Sequence, residues 1–147
     1  MSEHILYILM RKDLPSMNAG KAMAQASHAT SAFSEDNCDS ESFTQWSQST
    51  SQHFGTALVL AADKQQIIDV VGKARQLGIP ASVVDDPSYP YRADIELASL
   101  IPTSLDTIPR QVNGNQVTLW RNEMTCAYVF GTKEELAPIL GHLPLHP

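Results

Sequence analysis

The sequence predicts an α/β sandwich with largely parallel strands, and three observations carry that prediction. Strand-length apolar runs at Ile5–Met10, Thr56–Ala61 and Ala81–Val84 alternate with stretches of helical period. The connections between these runs are long enough for the crossovers that parallel pairing requires. Asn113-Gly114 sits inside a strand-like stretch, Gln111 to Trp120, and predicts a hairpin with a tight turn.

Composition bounds the rest. The chain has 147 residues, 43% of them hydrophobic and 18% charged, so one domain spanning 1–147 is expected. No run approaches the ~18 apolar residues of a membrane span, and Met-Ser-Glu-His lacks a basic segment leading into an apolar one. The expected compartment is the cytoplasm, with no membrane partner. Cys38 and Cys126 show no CxxC spacing, which points to reduced thiols rather than a disulfide framework or a zinc site. The formal net charge of −6 argues against a strongly cationic, sequence-independent nucleic-acid surface, and so disfavours a tRNA-linked partner.

Each element has its own signal. Ile5–Met10 is apolar throughout, as a strand covered on both faces would be, and Arg11, Lys12 and Asp13 stand at its C-terminal end. Pro15 and Ser16 then turn the chain, and Ser16 or Asn18 can cap a helix that runs past Thr30. On that helix Asn18, Lys21, Gln25 and His28 fall on one polar stripe about 80° wide. Ala19, Ala22, Met23, Ala26, Ala29 and Phe33 form a small apolar stripe beside it, suited to packing on a sheet. Ser34 to Gln52 is polar and reads as a loop, with Phe43 and Trp46 marking a short helix within it. Asp63 is the expected N-cap of the clearest amphipathic helix, whose apolar positions are Ile67, Ile68, Val71, Ala74 and Leu77; Gly78 and Pro80 stop it. The third strand ends in Asp85 and Asp86, after which Pro87 and Pro90 are expected to break regular structure. Ile101 to Arg110 holds two prolines and reads as irregular, Thr125 to Phe130 reads as a strand, and Lys133 to Leu140 as a helix interrupted by Pro138.

The chemistry is narrowed by what is missing. The sequence holds no GxGxxG or GxxxxGK[ST] phosphate loop, no HExxH zinc motif and no GxSxG elbow, so no metal and no cofactor are expected. Cys126 lies inside an apolar strand and reads as a small buried hydrophobe. What is left is Lys21, Gln25, His28, an aspartate at a strand end and a threonine at a strand start, a set suited to activating water. His28 or Asp86 can accept its proton, while Lys21 and a hydroxyl or backbone amide stabilise negative charge developing on a carbonyl oxygen. Structural readings compete with each: Lys21 as a solvated cation, His28 held by a backbone partner, and Asp85-Asp86 as a solvated turn.

Asp13-Leu14, Met17, Gly20-Lys21, Ala24-Gln25 and Ser27-His28-Ala29 resemble the signature of type 2 peptidyl-tRNA hydrolases, with one extra residue before Met17. The resemblance continues through Gln45-Trp46, Thr56 to Ala61, Leu77-Gly78-Ile79 and Ser82-Val83-Val84 to Asp86, then from Thr125 through Gly131, Glu135-Leu136 and Gly141-His142-Leu143 to Leu145. It implies a three-layer sandwich with a mixed, mostly parallel four-stranded sheet, helices on both faces, a homodimer, no metal, and hydrolysis of the ester joining a peptide to tRNA. Carried over by position, it implies catalytic roles for Lys21, His28, Asp86 and Thr125. Lys21 would bind phosphate or polarise the ester, Asp86 with His28 would orient or deprotonate water, and Thr125 would donate a hydrogen bond. Arg11, Asn18, Gln25 and Ser27 are the candidate substrate contacts.

Two departures from the family stand out. Asp86-Pro87-Ser88-Tyr89-Pro90 replaces the family's Asp-Ala-Gly-x-Thr, so a glycine and a hydroxyl are missing. An insertion of roughly 25–30 residues, at about 91–122 and carrying the Asn113-Gly114 hairpin, separates Asp86 from Thr125. Two alternative functions follow: a hydrolase of the same fold acting on a small ester or amide in a closed pocket lined by Tyr89, Tyr91 or Trp120, or a binding module without catalysis.

Overall fold

The structure, a computed structural model, describes residues 3–94, 107–114 and 116–147. In chain order the elements are β1 (His4–Arg11), α1 (Ala19–Asn37), α2 (Glu41–Gln48), β2 (Ala57–Ala62), α3 (Lys64–Gln76), β3 (Ala81–Asp94), β4 (Thr107–Asn113), β5 (Gln116–Thr132) and α4 (Lys133–Leu140). The main sheet runs in the order β2-β1-β5-β3, and β4 pairs with β5 off that path. Contacts divide the chain into two units, Met1–Val84 with Thr125–Pro147, and Asp85–Met124.

In the larger unit β1 is a central strand with a neighbour on each side, which explains its unbroken apolar run. Leu6, Ile8 and Met10 alternate onto one face. There they join Ala22, Ala29 and Phe33 of α1, Trp46 of α2, and Cys126, Tyr128 and Phe130 of β5 in a single core cluster. Phe33 is its centre: its ring lies 4.7 Å from that of Phe130 and edge-on to Trp46 at 5.2 Å. Tyr7 and Leu9 face the other way, toward the side where α3 packs on β1 and against α4. Burial there and the nearby Glu134 carboxylate push the Tyr7 hydroxyl pKa up. Helices therefore cover both faces of the sheet, as expected.

The predicted caps are formed. Asn18 caps α1 by accepting the Lys21 N–H at 2.9 Å, and Asp63 and Gln66 close a capping box on α3. Asp63 is the cap that the sequence pointed to. A second capping box, Thr132 with Glu135, starts α4, and Pro138 lies inside that helix. The aromatic pair Phe43 and Trp46 does mark a helix, α2.

Three expectations need correction. The sheet is mixed rather than mostly parallel: β1 is parallel to β2 but antiparallel to β5, with Ile8 opposite Tyr128. An apolar run reports burial on both faces and not strand direction, and β5 is entered from the β4 hairpin instead of a helical crossover. Second, α1 does not give way to a loop at Ser34 but runs to Asn37, taking in Ser34, Glu35 and Asp36. Tertiary contact overrides the weak propensity there, since the Tyr128 hydroxyl donates to Asp36 at 2.6 Å. Third, β3 continues through Pro87 and Pro90 to Asp94. It is the last strand on the sheet path, and prolines are tolerated on such an edge, so Asp86 lies within the strand rather than at its end.

The opposite edge of the sheet, β2, is covered by the chain itself. Ala61 N–H donates to Pro144 O and His146 N–H to Val59 O, pairing Leu60 with Leu145 in an antiparallel bridge.

In the smaller unit β4 and the start of β5 form the expected hairpin, with Asn113 opposite Gln116 and Gly114 at φ +62°. The pairing register shifts between Ile108 and Gln111, where Pro109 has no N–H to offer the ladder. Residues 101–106 of the segment expected to be irregular lie outside the described residues, while Thr107 onward is strand.

Candidate active site

The polar stripe of α1 meets the start of the last part of β5 at one point. Thr125 Oγ1 donates to Gln25 Oε1 at 2.6 Å, and Cys126 Sγ lies 3.5 Å from the Gln25 carbonyl oxygen, to which it donates. Thr125 is fully buried and Gln25 is 4% exposed. Gln25 can occupy that position because it lies on the border of the helix's packed face, about 60° from Ala22 and about 40° from both Ala29 and Lys21. A buried amide without partners would be costly, so a hydroxyl from the neighbouring strand suits it.

The other helix candidates spread around this pair. Lys21 is half-buried, one turn before Gln25, and its own N–H is the group that Asn18 caps. Its position in the first turn places a cation near the positive end of the helix dipole, a setting that favours an anionic neighbour. His28 lies three residues beyond Gln25 on the same stripe and is exposed. Ser27 is exposed and lies about 120° around the helix from Lys21, so the helix does not bring these two together.

Arg11 is not an open cation. It is 5% exposed, and its Nε and Nη2 grip the two Asp13 oxygens at 2.5 and 3.1 Å. Burial raises the Asp13 carboxyl, but the Arg11 guanidinium and the Lys64 N–H outweigh it and hold the pKa below the usual carboxylate value. The pair joins the end of β1 to the first residue of α3.

Asp86 belongs to the smaller unit. It is half-buried in β3, and its Oδ1 accepts the Ser88 N–H at 2.9 Å. Within that unit Tyr89 is fully buried and stands edge-on to Tyr91. The Arg121 guanidinium sits over the Tyr91 ring, 4.6 Å from its centroid, and pairs with Glu123 at 2.5 Å. Trp120 is half-buried.

A cleft of about 250 Å³ lies elsewhere, lined by Ala19, Ala22, Met23, Ala26, Val59, His146 and Pro147. Those α1 positions are centred roughly 150° around the helix from Lys21, so the cleft lies on the flank away from the polar stripe. Among the described residues no group of three or more His, Cys, Asp and Glu side chains could hold a metal ion, and no helix is long and apolar enough to cross a membrane.

Sequence reasoning named Gln25 and Thr125 separately and missed that they are one unit. Their separation of 100 residues left no local signal, although a glutamine among alanines on a packed helix face already asked for a buried partner.

Helices on both faces of a mixed sheet define an α/β protein. The chain belongs to the family described as Peptidyl-tRNA hydrolase PTH2, whose model matches residues 4–146, nearly its whole length. Membership implies peptidyl-tRNA hydrolase activity and a tRNA-linked substrate, and so a place in translation. No curated protein matches the chain significantly.

Proposed function

We propose that this protein hydrolyses the ester bond of peptidyl-tRNA, or of a closely related acylated substrate, with water activated by side chains rather than by a metal. The observation that carries this reading is the family match, which spans both the α1 stripe and the β5 segment that meets it. Lys21 holds a phosphate or polarises the ester carbonyl from the first turn of α1. Asp86 and His28 orient the attacking water and take its proton, and Thr125 contributes a hydrogen bond on the side of Gln25. Asn18 and Ser27 would bind substrate from the start and the outer face of the helix. Arg11 would do so through the end of β1, which its pairing with Asp13 fixes. The protein would act in the cytoplasm as a homodimer.

Purified, metal-free protein assayed on peptidyl-tRNA tests this directly. Turnover should fall about 100-fold or more in Lys21→Ala and in Asp86→Ala, since each removes a charge that acts at the reacting centre. No turnover by the wild-type protein would sink the reading, and sedimentation of the same sample decides the dimer.

A second reading, a same-fold hydrolase of a small ester or amide, is favoured by the net charge of −6 and by the altered segment after Asp86. Under it, small acyl esters are turned over and added tRNA does not compete.

A further inference from the structure

We infer that the outer edge of β2 is a self-association surface for a second copy of this chain, and that residues 144–146 hold it closed by standing where that copy's own β2 would lie. In a parallel pair the backbone groups of successive residues alternate between the two edges of a strand. Leu6 and Lys12 donate to the carbonyls of Thr56 and Ala62. The even positions of β2 therefore bond β1, and the odd ones, Ala57, Val59 and Ala61, turn their groups to the outer edge. There Ala61 N–H meets Pro144 O at 2.8 Å and Val59 O accepts from His146 N–H at 2.9 Å, with Leu145 opposite Leu60.

That register is the one a twofold axis at Leu60 generates. A second β2, antiparallel and centred there, sets Leu60 against its own counterpart and Ala61 against Val59 in both directions. Ala61 N–H then donates to Val59 O of the second copy, and Val59 O accepts from Ala61 N–H of the second copy. Pro144, Leu145 and His146 thus take the places of that copy's Val59, Leu60 and Ala61, making the same two bonds around the same central leucine. Nothing within β2 guards the edge: ALVLAA has no proline and no charge, a composition that pairs readily with an identical segment. The Leu145 side chain is 64% exposed, so backbone bonds rather than burial of that side chain hold the strap. Because β2 ends the sheet, association through it uses one edge of each copy and closes as a pair. With the strap in place, a homodimer must use another surface.

Full-length variants test this. His146→Pro removes the donor to Val59 O, whereas His146→Ala removes the imidazole and keeps that donor. Sedimentation over a ~100-fold range of concentration should give His146→Ala the wild-type mass throughout, and His146→Pro a mass that rises to about twice the wild-type value. Adding Leu58→Lys to His146→Pro should restore the wild-type mass, since the half-exposed edge then carries a charge that pairing would bury. Amide exchange at Ala61 should be slow in the wild type at every concentration. In His146→Pro it should be fast when dilute and slow when concentrated. Pro144→Gly, which loosens the strap and keeps both bonds, should associate in the same way at higher concentration and carries the test if His146→Pro does not fold. A wild-type mass for both strap variants throughout, association that survives Leu58→Lys, or open-ended growth beyond doubling would each overturn the inference. None of these readouts uses activity, so the outcome is independent of the hydrolase reading.

Discussion

Individual side chains here are placed by hydrogen bonds that cross the sheet–helix boundary. The Tyr128 hydroxyl is an example. It donates to Asp36 near the C-terminal end of α1, where a carboxylate faces the negative end of the helix dipole and gains from a donor. Burial first, and then the Asp36 bond and charge, push its pKa up to about 12. The folded value lies above the ordinary tyrosine value of about 10, so the contribution is complete below pH 10 and is lost as pH rises through 12. Tyr128→Phe should cost about 1–2 kcal/mol near neutral pH, with the gap from the wild type closing between pH 10 and 12 in denaturant titrations. Lys21 and His28 were readable as a pair by helical spacing alone. That Arg11 would be bound to Asp13 was not, although both stood in sequence at the end of β1. Spacing two residues apart on an extended segment does not tell whether two opposite charges turn toward each other or toward solvent.

At the level of elements, the packing of α2 depends on one glycine. Gly55 has φ +68°, and a Cβ there would be driven into the indole of Trp46. Trp46 in turn donates from Nε1 to Thr56 O at 2.8 Å and closes the apolar cluster around Phe33. Gly55→Ala combines backbone strain with overpacking against a buried ring and should destabilise by roughly 2–5 kcal/mol, visible as a lower melting temperature without loss of cooperativity. The capped starts of α1 and α3 were legible because a cap is a local device: the side chain and the N–H it satisfies lie three residues apart. The far end of α1 was not, because Ser34 and Asp36 are indifferent helix formers, and Asp36 is held by a strand that arrives more than 90 residues later. The path of β3 through two prolines was likewise invisible, since only its place at the sheet edge makes them tolerable.

For the molecule as a whole, the acidic balance of 16 Asp and Glu against 10 Lys and Arg sets how a tRNA substrate can be held. Few phosphates can be neutralised at once, so binding should lean on the reacting end of the substrate. KM for peptidyl-tRNA is then expected to rise by less than about tenfold between 50 and 200 mM salt, as for about two phosphate contacts. A much steeper dependence would mean a broad basic surface that the sequence does not announce. By itself the sequence determined the α/β class, the capped helices, the hairpin at Asn113-Gly114 and the polar stripe on α1. All of these follow from periodicity and from contacts a few residues long. Only the tertiary structure decided that β5 runs against β1, that residues 144–146 cover the free edge of β2, and that Thr125 holds Gln25 from 100 residues away. A face can be read from spacing because the backbone repeats, but the partner of that face is chosen by where the rest of the chain returns.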